Sequence, residues 1–110
     1  MEKPTSIYLL LATYWQRMDE LTEAIRRTDD AEHDTPEREA AFAAQFEVGG
    51  RVNEAEQAIA AFRPEQPYEA KIKADFLHRL AAENNGTLED DVTAALLSSL
   101  PGLVEWRAPA

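Results

Sequence analysis

The sequence predicts an all-α fold: a long antiparallel helical hairpin followed by two shorter helices, four-helix bundle-like within a single domain spanning residues 1–110. Three observations predict it. Apolar residues recur at helical spacing through most of the 110 residues, and no stretch alternates as a strand would. Glycine is scarce, at four residues, and Ala, Glu and Leu are abundant. Stop and start signals divide the chain into four helical segments at about 5–28, 36–62, 67–83 and 88–100, with a tail over 101–110.

The first segment starts near Thr5 or Ser6. Ile7, Leu11, Tyr14, Met18, Leu21 and Ile25 alternate at spacings of four and three, a heptad-like seam, widened by Leu10 and Trp15. Tyr8 and Leu9 make its first two turns apolar on nearly every side, which calls for cover on nearly every side. An acidic connection, Asp29 to Asp34, follows. Thr35-Pro36-Glu37 then reads as an N-cap, a first-turn proline and a first-turn acid. The stripe expected on the second helix is Phe42, Phe46 (or Gln45), Gly49, Val52, Ala55, Ile59 and Phe62, among many alanines.

Gly49-Gly50 interrupts that helix with two residues of poor helical propensity. A break or hinge is one reading; a close approach is the better supported one. A connection centred near residue 32 places Trp15 and Tyr14 opposite Gly49 and Gly50, so that large rings face the positions lacking side chains. On that register Gly49→Leu is expected to overpack the crossing.

Arg63-Pro64-Glu65-Gln66-Pro67 cannot continue a helix. Tyr68, Ile72, Phe76, Leu80 and Leu77 form the expected face of the third helix, and Asn84-Asn85-Gly86 stops it. Thr87-Leu88-Glu89-Asp90 restarts the chain. The fourth helix uses Leu88, Val92, Ala95, Leu96 and Leu100 until Pro101-Gly102, and the tail Leu103-Val104-Glu105-Trp106 is apolar enough to dock.

The chemistry-bearing residues are few. With no cysteine, disulfides and thiolate sites are excluded. His33 lies among Asp29, Asp30, Glu32 and Asp34, without the spacing of a calcium loop. His78 follows Asp75 by one turn, but a di-iron bundle needs two such pairs and further glutamates. Ser98 and Ser99 lack a nucleophile elbow, and no phosphate-binding glycine loop is present. The expectation is therefore no enzyme, no catalytic residue, no cofactor and no metal.

Eleven Lys+Arg against 21 Asp+Glu give a net charge of −10. That disfavours nucleic acid and anionic membrane surfaces as partners. The apolar run Ile7 to Ala12 is too short to span a membrane and too poorly flanked for a signal peptide, so a cytoplasmic protein is expected.

Tyr14-Trp15 on a Leu-rich stripe, the run Arg51-Val52-Asn53-Glu54-Ala55-Glu56-Gln57-Ala58-Ile59-Ala60-Ala61, and Ala70-Lys71-Ile72-Lys73-Ala74 beyond a proline break form a recognisable order. Over residues 7–100 it resembles small uncharacterised helical-hairpin proteins of alphaproteobacteria, often associated with prophages or mobile elements. That resemblance implies a bacterial accessory or regulatory protein and brings no catalytic residues.

The functional expectation is a non-catalytic protein–protein interaction module: a small adaptor, regulator or phage-type accessory protein acting through helical surfaces. The alternative is an acidic inhibitor or antitoxin-like protein that occupies a basic site on its target. Tyr8, Leu9, Trp15 and Trp106 are the candidate interaction residues. Because two short helices cannot cover both faces of a long hairpin, a homodimer is expected; a monomer with the 103–106 tail folded over Tyr8 and Leu9 competes with it.

Overall fold

A computed structural model describes residues 6–100. The chain is all-α: α1 (Ile7–Asp30), α2 (Pro36–Ala61), α3 (Pro67–Glu83) and α4 (Asp90–Ser99), with no strand among the described residues. The 101–110 tail, Trp106 included, lies outside them, as does Thr5. The described residues form two compact units. Residues 8–56 make one, and residues 57–100 with Ile7 make the other.

The 8–56 unit is the hairpin, in which α1 and α2 pack closely. Both inner faces follow a seven-residue repeat. On α1, Tyr14, Leu21 and Thr28 are buried or half-buried at the first position, a, of the repeat, with Leu10, Arg17 and Ala24 at its fourth, d. On α2, Arg38, Gln45 and Val52 take a, and Ala41, Val48 and Ala55 take d. Two helices whose inward residues recur every 3.5 positions stay in register along their length.

The expected stripe on α2 is therefore wrong by one residue in its first half. Ala41 faces inward in place of Phe42, and Gln45, the alternative at the next turn, faces inward in place of Phe46; both phenylalanines lie on the surface. Stepping back from Val52 by fours and threes leads to Val48, Gln45 and Ala41, and continuity of the contact line outweighs the hydrophobicity of single residues. Ile25 departs likewise. It follows Ala24, which takes the fourth position with Leu10 and Arg17, by one residue, and that rotation leaves Ile25 exposed.

The expected pairing of Trp15 with Gly49 also fails. α2 is continuous through Gly49-Gly50, and a Cβ built on either glycine meets nothing within 4 Å. No ring covers them, so Gly49→Leu has nothing to overpack.

The turn is fixed by polar contacts. Thr35 Oγ1 accepts from the Arg38 backbone N–H at 3.2 Å and donates to the Glu32 carbonyl at 2.7 Å, which makes Thr35 the expected N-cap. Arg38 Nη1 donates to the carbonyl of Thr28 at 2.9 Å, an orphan acceptor in the last turn of α1, and to that of Ala31 at 3.3 Å, just past the helix end. Asp34 turns the chain with φ 60.

In the second unit Ala60, Leu77 and Val92 form the core, flanked by Phe76, Leu80, Leu88, Ala95 and Leu96. Ile7 and Ile59 are fully buried there as well. Tyr68, expected inward on α3, is exposed, and Lys73 takes the buried place. Its ammonium donates to the Phe62 carbonyl at 2.7 Å, just past the end of α2, and to Ser99 Oγ at 2.6 Å, at the end of α4. A cation at two helix C-termini is favoured by both helix dipoles, and here it meets a backbone carbonyl at one end and a hydroxyl at the other. Burial pushes the Lys73 ammonium below the ordinary lysine value.

Asn84-Asn85-Gly86 ends α3 as expected, with positive φ at Asn85 (57) and Gly86 (84) and the Gly86 N–H donating to the Ala81 carbonyl at 2.7 Å. α4 starts two residues later than the sequence suggests, because Thr87 bonds back to the Asn84 carbonyl through its hydroxyl at 3.1 Å. Leu100 is exposed, and Ser99 continues the buried line from Val92 and Ala95.

Two predictions follow from this packing. Gly50→Ala is expected to stabilise the chain by about 1 kcal/mol in urea unfolding, since it adds helix propensity and meets no neighbour; a loss of stability would show that the open site is needed. Lys73→Met is expected to cost about 1–3 kcal/mol at neutral pH by leaving buried acceptors unpaired. Between the lowered native pKa and the ordinary lysine value, the unfolded chain holds the proton more firmly than the native one. Wild-type stability should therefore rise with pH across that window, and the rise should be absent in Lys73→Met. Parallel pH profiles would contradict the buried charge.

Candidate functional site

The hairpin's two outer sides differ in chemistry. On antiparallel helices the residues just after each a and d position, b and e of the repeat, fall on one common side of the pair. On α1 these are Tyr8, Leu11, Trp15, Met18, Thr22 and Ile25; on α2, Phe42, Phe46, Gly49 and Asn53, bounded by Glu39 and Glu56. From Tyr8 to Ile25 this side of α1 carries no charge, although 29% of the chain is charged. Five of its residues are large, apolar and exposed: Tyr8 (58%), Trp15 (43%), Phe42 (59%), Phe46 (80%) and Ile25 (39%).

The other side is ionic. It holds Glu20, Glu23, Arg27, Glu47, Arg51 and Glu54. Arg51 pairs with Glu47 at 2.8 Å and Arg27 with Glu23 at 3.5 Å. Arg17, inside the seam, reaches Glu20 at 2.8 Å. The Arg26 guanidinium, bonded to Glu23, holds that carboxyl below its usual range. Such exposed pairs add little stability; they mark the side that stays wet.

Trp15 is held by its neighbour. Its ring meets that of buried Tyr14 edge-on, with centroids 5.2 Å apart and planes at 76°. Phe42 and Phe46 are one turn apart on α2 and share a face. Between them and Glu56, Gly49 leaves the backbone bare.

Of the four expected interaction residues, the structure brings together Tyr8 and Trp15. Leu9 is exposed but lies a further 100° round the helix, toward the ionic side. Trp106 lies outside the described residues. Sequence reasoning missed Phe42, Phe46 and Ile25 because it placed them in the seam. The signal that finds the two phenylalanines is the strict repeat running back from Val52, and for Ile25 the repeat Leu10, Arg17, Ala24 on α1.

Nothing else among the described residues assembles a reactive arrangement. Ser99 and Lys73 are a hydroxyl and an amine within bonding distance, but Ser99 Oγ donates to the Leu96 carbonyl at 2.6 Å and both side chains are enclosed. That geometry ties helix ends together and leaves no room for a substrate. An open depression near the turn is lined by His33, Asp34, Thr35, Arg38, Glu39 and Phe42, but Thr35 and Arg38 are committed to backbone groups there. Asp75 pairs with Lys71 at 3.1 Å. No group of three or more metal-ligating side chains occurs among the described residues, and none of their helices is long and apolar enough to cross a membrane. No family model, curated protein or solved structure matches the chain.

Proposed function

We propose that this protein is a non-catalytic interaction module that docks an apolar, uncharged helical surface of a protein partner against the Tyr8–Trp15–Phe42–Phe46 side of its hairpin. The observation that carries the reading is the segregation of charge. A chain of net charge −10 keeps one side of a two-helix unit free of charge between Glu39 and Glu56 while placing four aromatic rings on it. Exposed apolar patches of a few hundred Å² on soluble proteins mark interaction surfaces, and aromatic residues dominate the energetics of such surfaces.

The resemblance to alphaproteobacterial helical-hairpin proteins supports placing this module in a bacterial cytoplasm as an accessory or regulatory factor. An acidic inhibitor acting on a basic site draws less support. Several of the carboxylates such an inhibitor would present, Glu20, Glu23 and Glu47 among them, already pair with arginines of their own helices. Net negative charge gives nucleic acid no support as a partner.

A photo-cross-linking phenylalanine analogue in place of Phe46, introduced in cells of the source, tests the reading. A discrete cross-linked protein is expected, and none when the analogue replaces Glu47 on the ionic side. Absence of a product at position 46, or equal products at both positions, would overturn it.

A further inference from the structure

We propose that the partner covering this side is a second copy of the chain, so that two hairpins pair through their Tyr8–Trp15–Phe42–Phe46 sides. The proposal rests on reading that side as a docking surface, and three observations select the second copy.

The first is area. With about 200 Å² for a whole aromatic residue, their exposures leave about 500 Å² on the four aromatic residues of one copy. That is already near the upper range of what a monomer exposes in one patch. Ile25, with half-buried Leu11 and Met18, carries the strip toward the roughly 800 Å² per partner of a standard stable interface. One further helix laid along the strip could touch only part of a face two helices wide; an equal hairpin matches its full width.

The second is charge. A basic partner would gain nothing from an uncharged face, and its attraction would fall on the ionic side instead. A second copy presents the same uncharged strip and keeps both ionic sides outward, so two chains of net charge −10 can approach where neither carries charge.

The third is shape. A two-fold interface must hold both the projection and the recess that receives it, because the same patch serves both copies. Phe46, at 80% exposure, is the projection. Gly49, where a Cβ meets nothing within 4 Å, is the recess. Counting away from the turn contact between Arg38 and Thr28, Gly49 stands level with Arg17, near the middle of the strip from Tyr8 to Ile25. A two-fold axis passing between Phe46 and Gly49 sets each copy's Phe46 over the other copy's Gly49.

Sedimentation equilibrium of the full chain between about 1 and 100 µM tests the pairing. Twice the chain mass is expected at the upper concentrations, falling toward one on dilution. Phe46→Asp should weaken association at least about tenfold while leaving the helical circular dichroism unchanged. Phe42→Ser is the milder second variant, should Phe46→Asp fail to fold. A single-chain mass at every concentration would overturn the pairing, as would dimers of unchanged affinity in both variants. A cross-link from position 46 to a different protein, with a monomeric purified chain, would remove the second copy and leave the docking surface standing.

Discussion

The register of the inner seam decides the chemistry of the hairpin. Once Tyr14, Leu21 and Thr28 face inward on α1, and Gln45, Val52 and Ala55 on α2, every other position is assigned by rotation. Had α2 turned by one residue, Phe42 and Phe46 would be core and Ala41 and Gln45 surface. The observed phase uses small residues in the seam: Ala24, Ala41 and Ala55 let the backbones approach closely, with Val48 and Val52 filling between them. The rings are left outside as the direct consequence.

The two units solve different problems. The hairpin closes its turn with Arg38, whose guanidinium serves one carbonyl in the last turn of α1 and one just past its end, and with the Thr35 cap. The unit of residues 57–100 has a small core and gathers helix ends around one buried ammonium. Lys73 loses hydration there, which lowers its pKa, and gains two short hydrogen bonds in exchange. No buried side-chain nitrogen or oxygen among the described residues is left without a partner, so neither arrangement carries an unpaid desolvation cost.

Much of the fold was legible in the sequence, for reasons that can be named. Thr35-Pro36, Pro64 to Pro67 and Asn84-Asn85-Gly86 act locally, so they placed helix ends within about two residues of the observed ones. The phase of each inner face was less legible, since it depends on the partner helix. Phe42 looked like core because phenylalanine usually is, and at the next turn Phe46 stood ahead of Gln45 for the same reason, since glutamine is seldom buried. Tyr68 and Lys73 exchanged places for a similar reason: a lysine reads as surface until two helix ends converge on its head group. The candidate site was half legible. Tyr8 and Trp15 stood out as excess apolar residues on α1, whereas their companions on α2 were hidden by the misplaced stripe.

The central claim is that the hairpin has two apolar faces, one buried within the chain and one that another chain covers. Isotope-filtered NMR on an equal mixture of labelled and unlabelled chains reads this directly, since only protons of different copies give a signal. The account predicts intermolecular contacts from the rings of Trp15, Phe42 and Phe46 and from the Gly49 α-protons, with none from Glu47 or Arg51. Intermolecular contacts confined to the Glu47–Arg51 side, or none from any of the rings at concentrations where other aromatic contacts within the chain are plain, would contradict it.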